Sequence, residues 1–185
     1  MRTKEECTPK RRPNAANRGM PLQDALDDLH RAYLSAGRAF VLRTSAPMKI
    51  TKRLAGGRFQ AVFVAEGMPD YFAVSRGRAF IFDAKSHQGQ AFPFAAIPEH
   101  QARAFDLALT DAEPAVLIHL PDALSAWWAP WEDIGRLWWA WHRRTARAAP
   151  GTASITAAEL DALAIPLVGL DWLGALDRRD AREAA

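Results

Sequence analysis

Two aspartates and a lysine, Asp70, Asp83 and Lys85, stand at the margins of segments otherwise built from Phe, Ile, Val, Ala and Tyr, in the stretch PDYFAVSRGRAFIFDAK. Buried carboxylates are costly unless something compensates them. If Arg76-Gly77 forms a two-residue hairpin turn, Asp70 falls directly opposite Asp83, and facing side chains in an antiparallel pair have Cβ atoms roughly 4.5–5.5 Å apart. Like charges repel there, and a divalent cation turns the repulsion into a site. Lys85 lies two residues beyond Asp83, so the strand period returns it to the same face, while Ala84 points to the other.

Two carboxylates completed by water suit Mg2+, which Mn2+ can replace; a zinc site is disfavoured with Cys7 as the only cysteine and no histidine cluster. A metal so held polarises a phosphate and lowers the pKa of a bound water, and the Lys85 ammonium can orient that water or offset developing charge. Phosphodiester hydrolysis is the natural reaction. The plain alternative is that Asp70 caps a strand beside Pro69, with Asp83 and Lys85 as ordinary strand-end charges.

The elements that would position this group follow from periodicity. Leu22, Leu26, Leu29 and Tyr33 predict an amphipathic helix over residues 21–36, closed by Gly37. Residues 39–54 and 56–67 predict β-structure folded over Ala55-Gly56-Gly57, decorated by Lys49, Lys52, Arg53 and Arg58. Residues 70–75 and 78–85 predict a second hairpin, apolar on both faces and therefore central in a sheet covered on both sides. A helix over 97–109, a buried strand at PAVLIHL, and a helix with Trp131, Ile134, Leu137, Trp138 and Trp141 on one face come next. Thr156 and Glu159 form a capping box that opens a short helix, and residues 177–185 read as a frayed tail. The order predicts an α/β domain with a mixed central β-sheet flanked by helices.

The chain of 185 residues suits one domain, here 17–176, preceded by an arm over 1–16. Residues 1–20 hold six Lys or Arg against two Glu, leaving eighteen basic and nineteen acidic residues elsewhere. The excess positive charge thus lies in a flexible arm suited to polyphosphate. A single cysteine excludes an intrachain disulfide, and no apolar run is long enough to span a membrane or act as a signal peptide, so the expected location is the cytoplasm.

The motif P-D-x(12)-D-x-K resembles that of the PD-(D/E)xK nucleases. With NRGM at 17–20, DY at 70–71, FDAK at 82–85, FP at 92–93 and HQ at 100–101, in that order, the chain resembles RecU-type Holliday-junction resolvases over roughly residues 14 to 175. The resemblance implies a restriction-endonuclease-like core and a homodimeric, Mg2+-dependent endonuclease of a bacterial or phage-infected cell that cuts opposed strands of four-way branched DNA. It implies metal binding by Asp70 and Asp83, catalysis by Lys85 and support from Gln101. The hairpin at Gly56-Gly57 would be the stalk inserted at the junction centre, shorter here than is usual. Arg11, Arg12, Arg18, Lys49, Lys52, Arg53 and Arg58 would contact DNA.

One departure stands out: where the family presents a glutamate on the first helix, this chain has Gln23. Asp27, one turn along the same face, is a candidate for the missing carboxylate, with Asp24 less favourably placed. His87 and His100 are lesser candidates for catalysis. The alternatives are a PD-(D/E)xK endonuclease without junction preference, and a junction-binding accessory protein weakened by Gln23.

Overall fold

The computed structural model describes residues 20–44, 48–63, 68–146 and 153–184. In chain order the elements are α1 (Met20–Ser35), β1 (Phe40–Arg43), β2 (Met48–Arg53), β3 (Phe59–Phe63), β4 (Tyr71–Ser75), β5 (Arg78–Ser86), β6 (Ala91–Pro93), α2 (Glu99–Ala108), β7 (Glu113–Leu120), β8 (Ser125–Pro130), α3 (Trp131–Ala146), β9 (Ser154–Thr156), α4 (Ala157–Leu163), β10 (Ile165–Pro166) and α5 (Trp172–Glu183). Six strands form one sheet in the order β1-β4-β5-β7-β8-β10. The β5–β7 pair is parallel and the other pairs are antiparallel, so the sheet is mixed. This is the expected mixed sheet flanked by helices, and β2 and β3 form a separate two-stranded hairpin.

Strand alternation sends side chains into two cores. On one face Tyr71, Ala73, Phe80, Phe82, Ala84, Ala115, Leu117 and Trp128 meet Leu22, Leu26 and Tyr33 of α1 and Trp172, Leu173 and Leu176 of α5. On the other, Val116, Ile118, Leu120, Trp127 and Ala129 meet Ala102 and Phe105 of α2, Trp131, Ile134 and Trp138 of α3, and Leu160 of α4. Aromatic stacking organises the first core: the Trp128 and Trp172 rings lie 4.8 Å apart at 14°. The Thr156–Glu159 capping box opens α4 as its sequence predicts.

Three expectations require correction, and one strand was not foreseen. Residues 39–54 do not form one β-arm: β1 pairs with β4 at the sheet edge because Val41 packs against the first core, and only β2 continues into the hairpin. The Ser125–Pro130 segment, assigned to no element from the sequence, is a strand between β7 and the tryptophan-rich helix. Residues 177–183 are not a tail but the second half of α5, held by ion pairs from Asp177 to Arg38 (3.1 Å) and Arg76 (2.9 Å), and from Asp180 to Arg78. Finally, the second hairpin is not covered on both sides. Strand β5 is central, but β4 alternates buried and exposed residues, because among the described residues α2 and α3 cover β7 and β8 and leave β1 and β4 uncovered on that face. Phe40, Leu42, Phe72 and Val74 remain 53%, 52%, 36% and 41% exposed there, and register makes them cross-strand neighbours, Phe40 with Val74 and Leu42 with Phe72.

Candidate active site

The site begins with a turn. Arg76 and Gly77 both have positive φ, 48° and 78°, the pattern of a type I′ turn, which fixes a two-residue connection. The ladder then runs without a bulge from Ser75–Arg78 to Tyr71–Phe82. The next pair along is Asp70 and Asp83, opposite one another as the spacing predicts.

At this rim the carboxylates take over the work of the backbone ladder. The Asp70 N–H donates to Asp83 Oδ1 (3.1 Å), and the Ala84 N–H donates to Asp70 Oδ2 (3.3 Å). From the other side, the Thr44 N–H donates to the Asp70 carbonyl (2.8 Å), and the Thr44 hydroxyl donates to the Pro69 carbonyl. Asp83 is wholly buried, and its Oδ2 lies 2.5 Å from Lys85 Nζ. That contact is ionic, since no hydrogen bond of acceptable geometry reaches Oδ2.

Burial pushes the Asp70 carboxyl up to about 7, helped by the charge of Asp83 and by hydrogen bonding to it, against the opposing pull of Lys85. Asp70 therefore holds its proton far above the ordinary carboxylate range, and a cation bound there would take that proton's place.

Gln101 sits in the first turn of α2, on the buried face it shares with Ala102 and Phe105. Its Oε1 is buried without a hydrogen-bond partner. Among the described residues, the buried side-chain oxygens without a hydrogen bond are Asp83 Oδ2, which is ion-paired with Lys85, and Gln101 Oε1. Both are hard oxygen acceptors, and both belong to the layer on which Asp83 and Lys85 lie, in register with Val116 and Ile118 of the second core. Such a donor set fits a Mg2+-like cation that retains water and recruits substrate oxygens. Among the described residues no three His, Cys, Asp or Glu side chains form a group that could hold a metal ion.

Gln23 and Asp27 are held elsewhere. Both engage Arg43, which sequence reasoning passed over as an ordinary strand residue: Nη2 donates to Gln23 Oε1 (2.6 Å) and Nη1 to Asp27 Oδ2 (2.7 Å). The Tyr71 hydroxyl donates to Asp27 Oδ1 (3.3 Å). Tyr71 belongs to the first core and Arg43 pairs with it across the strands, so this group lies on the α1 face of the sheet, while Asp70, Asp83 and Lys85 face the other way. Asp24 is exposed.

His30 is a second residue not foreseen. Buried among Tyr33, Tyr71, Phe82 and Trp172, its Nε2 accepts from the Trp172 indole N–H (3.2 Å), and burial lowers its pKa to about 4 despite the charge of Asp27. It is a neutral packing residue. His87 is exposed, and its backbone N–H donates to the His119 carbonyl (3.0 Å). His100 adjoins Gln101 in α2.

Lys49, Lys52, Arg53 and Arg58 are exposed on the β2–β3 hairpin. A register shift between Ile50 and Lys52 places Lys49 and Lys52 opposite Val62 and Gln60, and Arg53 opposite Phe59, with its guanidinium 5.8 Å from that ring. The hairpin leaves the sheet after β1 and returns before β4, so it springs from the rim that carries Asp70. Arg11, Arg12 and Arg18 lie outside the described residues. Among the described residues, no helix is long and apolar enough to cross a membrane.

Comparison with known proteins adds a further line of observation. The model of the family described as Recombination protein U (RecU) matches residues 17–164. A Holliday junction resolvase RecU of Bacillus subtilis (strain 168) is 26% identical over 164 residues, covering 85% of this chain and 76% of that protein. The Holliday junction resolvase RecU of Geobacillus kaustophilus (strain HTA426) is 32% identical over 145 residues, covering 68% and 72%. Among solved structures, the Holliday junction resolvase Hjc of Archaeoglobus fulgidus matches with a TM-score of 0.38 and 15% identity, over 60% of this chain and 77% of that one.

Proposed function

Since the chain belongs to the Recombination protein U family, we propose that it is a Holliday-junction resolvase, a metal-dependent endonuclease that hydrolyses phosphodiesters in four-way DNA junctions within the cytoplasm. The observation that carries this reading is the Asp70–Asp83 pair, set face to face by a register-fixed hairpin, with one carboxylate fully buried and the other holding its proton to about pH 7.

Asp70 and Asp83 would hold a divalent cation, Mg2+ in the cell, with Mn2+ as a substitute. When bound, the ion supplies Lewis-acid polarisation of the phosphate and acidifies a water. Lys85, held by Asp83, keeps its ammonium at the site to steady the attacking water or the charge that grows on the phosphate. Gln101 would complete the first shell or bond one of its waters through the unsatisfied Oε1. Lys49, Lys52, Arg53 and Arg58 on the hairpin, with Arg11, Arg12 and Arg18, would take up the DNA backbone at the rim where the carboxylates sit.

The same reading makes the protein a homodimer. Phe40, Leu42, Phe72 and Val74 form an apolar patch on the carboxylate-bearing face of the sheet. No basic side chain stands among them to select DNA, whereas the same patch on a second copy is self-complementary about a dyad. A dimer built there brings two cutting sites to one substrate of near two-fold symmetry.

The direct test is incubation of the purified protein with a labelled four-way junction and with a matched linear duplex, each with and without Mg2+. Metal-dependent cleavage of the junction in preference to the duplex supports the proposal; equal cleavage of both points to an endonuclease without junction preference. Junction binding with no cleavage in Mg2+ points to an accessory role.

A further inference from the structure

Building on the nuclease reading, we propose that Arg43 is a positioning residue of the carboxylate site, and that Gln23 and Asp27 form its clamp and are not ligands of the metal. One planar guanidinium spans two side chains a turn apart on α1, Gln23 at 2.6 Å and Asp27 at 2.7 Å. This fork geometry belongs to Arg and is not available to Lys. The second oxygen of Asp27 accepts from the Tyr71 hydroxyl, and Tyr71 is both the cross-strand partner of Arg43 and the residue that follows Asp70.

The next residue after Arg43 extends the lock. Thr44 binds the carbonyls of Asp70 and Pro69, so α1, the end of β1 and the start of β4 meet in one bonded group. Whatever holds the start of β4 sets the direction in which the Asp70 carboxylate leaves the backbone, and so its approach to Asp83.

The oxygens themselves argue against a metal role for Gln23 and Asp27. Both carboxylate oxygens of Asp27 and the amide oxygen of Gln23 already accept hydrogen bonds, whereas Gln101 Oε1 accepts none and Asp83 Oδ2 is met only by the ammonium of Lys85. Charge agrees: one guanidinium, one carboxylate and one neutral amide sum to zero. A glutamate at position 23 would leave a surplus negative charge behind the carboxylate pair.

A double-mutant cycle on the full-length protein tests this, with Arg43→Ala, Asp27→Ala and both together, read by Mn2+ affinity, junction affinity and turnover. Each single variant is expected to lower kcat about tenfold or more and to weaken Mn2+ binding to a similar extent in both, while junction affinity stays within about threefold of the parent. The double variant should be no worse than the more damaging single, because the two act through one contact. Arg43→Lys should not restore turnover, and Gln23→Glu should leave Mn2+ affinity within the same threefold.

The clamp is overturned if Asp27→Ala weakens Mn2+ binding while Arg43→Ala does not, or if Gln23→Glu strengthens it by more than about threefold, which would make these residues ligands. It is equally overturned if Arg43→Ala weakens junction binding with kcat intact, or if the two losses add. Should the parent protein cleave nothing, the nuclease reading fails on its own. The clamp is then judged by the same cycle in thermal unfolding, where non-additive losses uphold it and additive losses overturn it.

Discussion

The raised affinity of Asp70 for its proton links ion binding to pH in a definite direction. In the metal-free protein the folded state holds this proton to about pH 7, while the unfolded chain releases it near the ordinary value of 3.8. Between those values the folded state binds the extra proton, so stability falls as pH rises from about 4 to about 7 and levels off above. Melting temperatures of the metal-free protein should show this decline, and Asp70→Asn should flatten it. A cation must displace the same proton. Mn2+ affinity should therefore weaken by about tenfold for each pH unit below 7, with proton release in calorimetry at pH 6 and little at pH 8. Lys85 belongs to the same scale. Lys85→Ala removes the ammonium 2.5 Å from Asp83 without removing an acidic donor. Turnover should drop by about 100-fold or more while Mn2+ still binds, as single-turnover assays beside metal titrations would reveal.

At the scale of elements, the hairpin was legible because one dipeptide sets its register. A turn of two residues with positive φ at Arg76 and Gly77 leaves a single pairing, and the meeting of Asp70 and Asp83 follows from it. What could not be read locally depended on partners far along the chain. Asp177 and Asp180 look like tail charges until Arg38, Arg76 and Arg78, about a hundred or more residues earlier, are seen to receive them. The hold of Arg43 on Gln23 and Asp27 was equally hidden, because it joins a strand residue to helix residues 20 and 16 positions earlier. Nor can the alternation of β4 disclose that no helix covers one side of it. The assignment of α5 is testable. Trp172 is fully buried against Trp128, Phe80 and Phe82, and Trp172→Ala should cost about 3–5 kcal/mol in denaturant unfolding. Removing residues 177–185 should cost less, about 1–3 kcal/mol, because the lost ion pairs are partly exposed. A truncation with no effect would return the segment to the status of a tail.

For the molecule as a whole, one sheet face carries both the proposed carboxylate site and an apolar surface left uncovered among the described residues. Asp70, Phe72 and Val74 alternate along β4 with the buried Tyr71, Ala73 and Ser75, so the patch runs straight to the carboxylates. A second copy seated on it would lie beside each cutting site, and the two hairpins that spring from the same rims would flank the dyad. Leu42→Glu and Phe72→Lys place charge at the centre of that surface. Light scattering should show a dimeric parent and monomeric variants, with far-UV spectra unchanged because both side chains are exposed in the single chain. Monomers should nick one strand of a junction where the dimer cuts two. A parent that is monomeric at concentrations where it resolves junctions would remove the dimer from the account and leave the site intact.

The central claim is that Asp70 and Asp83 face one another in order to share a cation, and anomalous diffraction from crystals soaked in Mn2+ measures this most directly. The expected result is a peak between the two carboxylates, within bonding distance of Asp83 Oδ2, that disappears in Asp83→Asn. Carboxylates turned apart with no peak between them, at a Mn2+ concentration that supports junction cleavage, would contradict it.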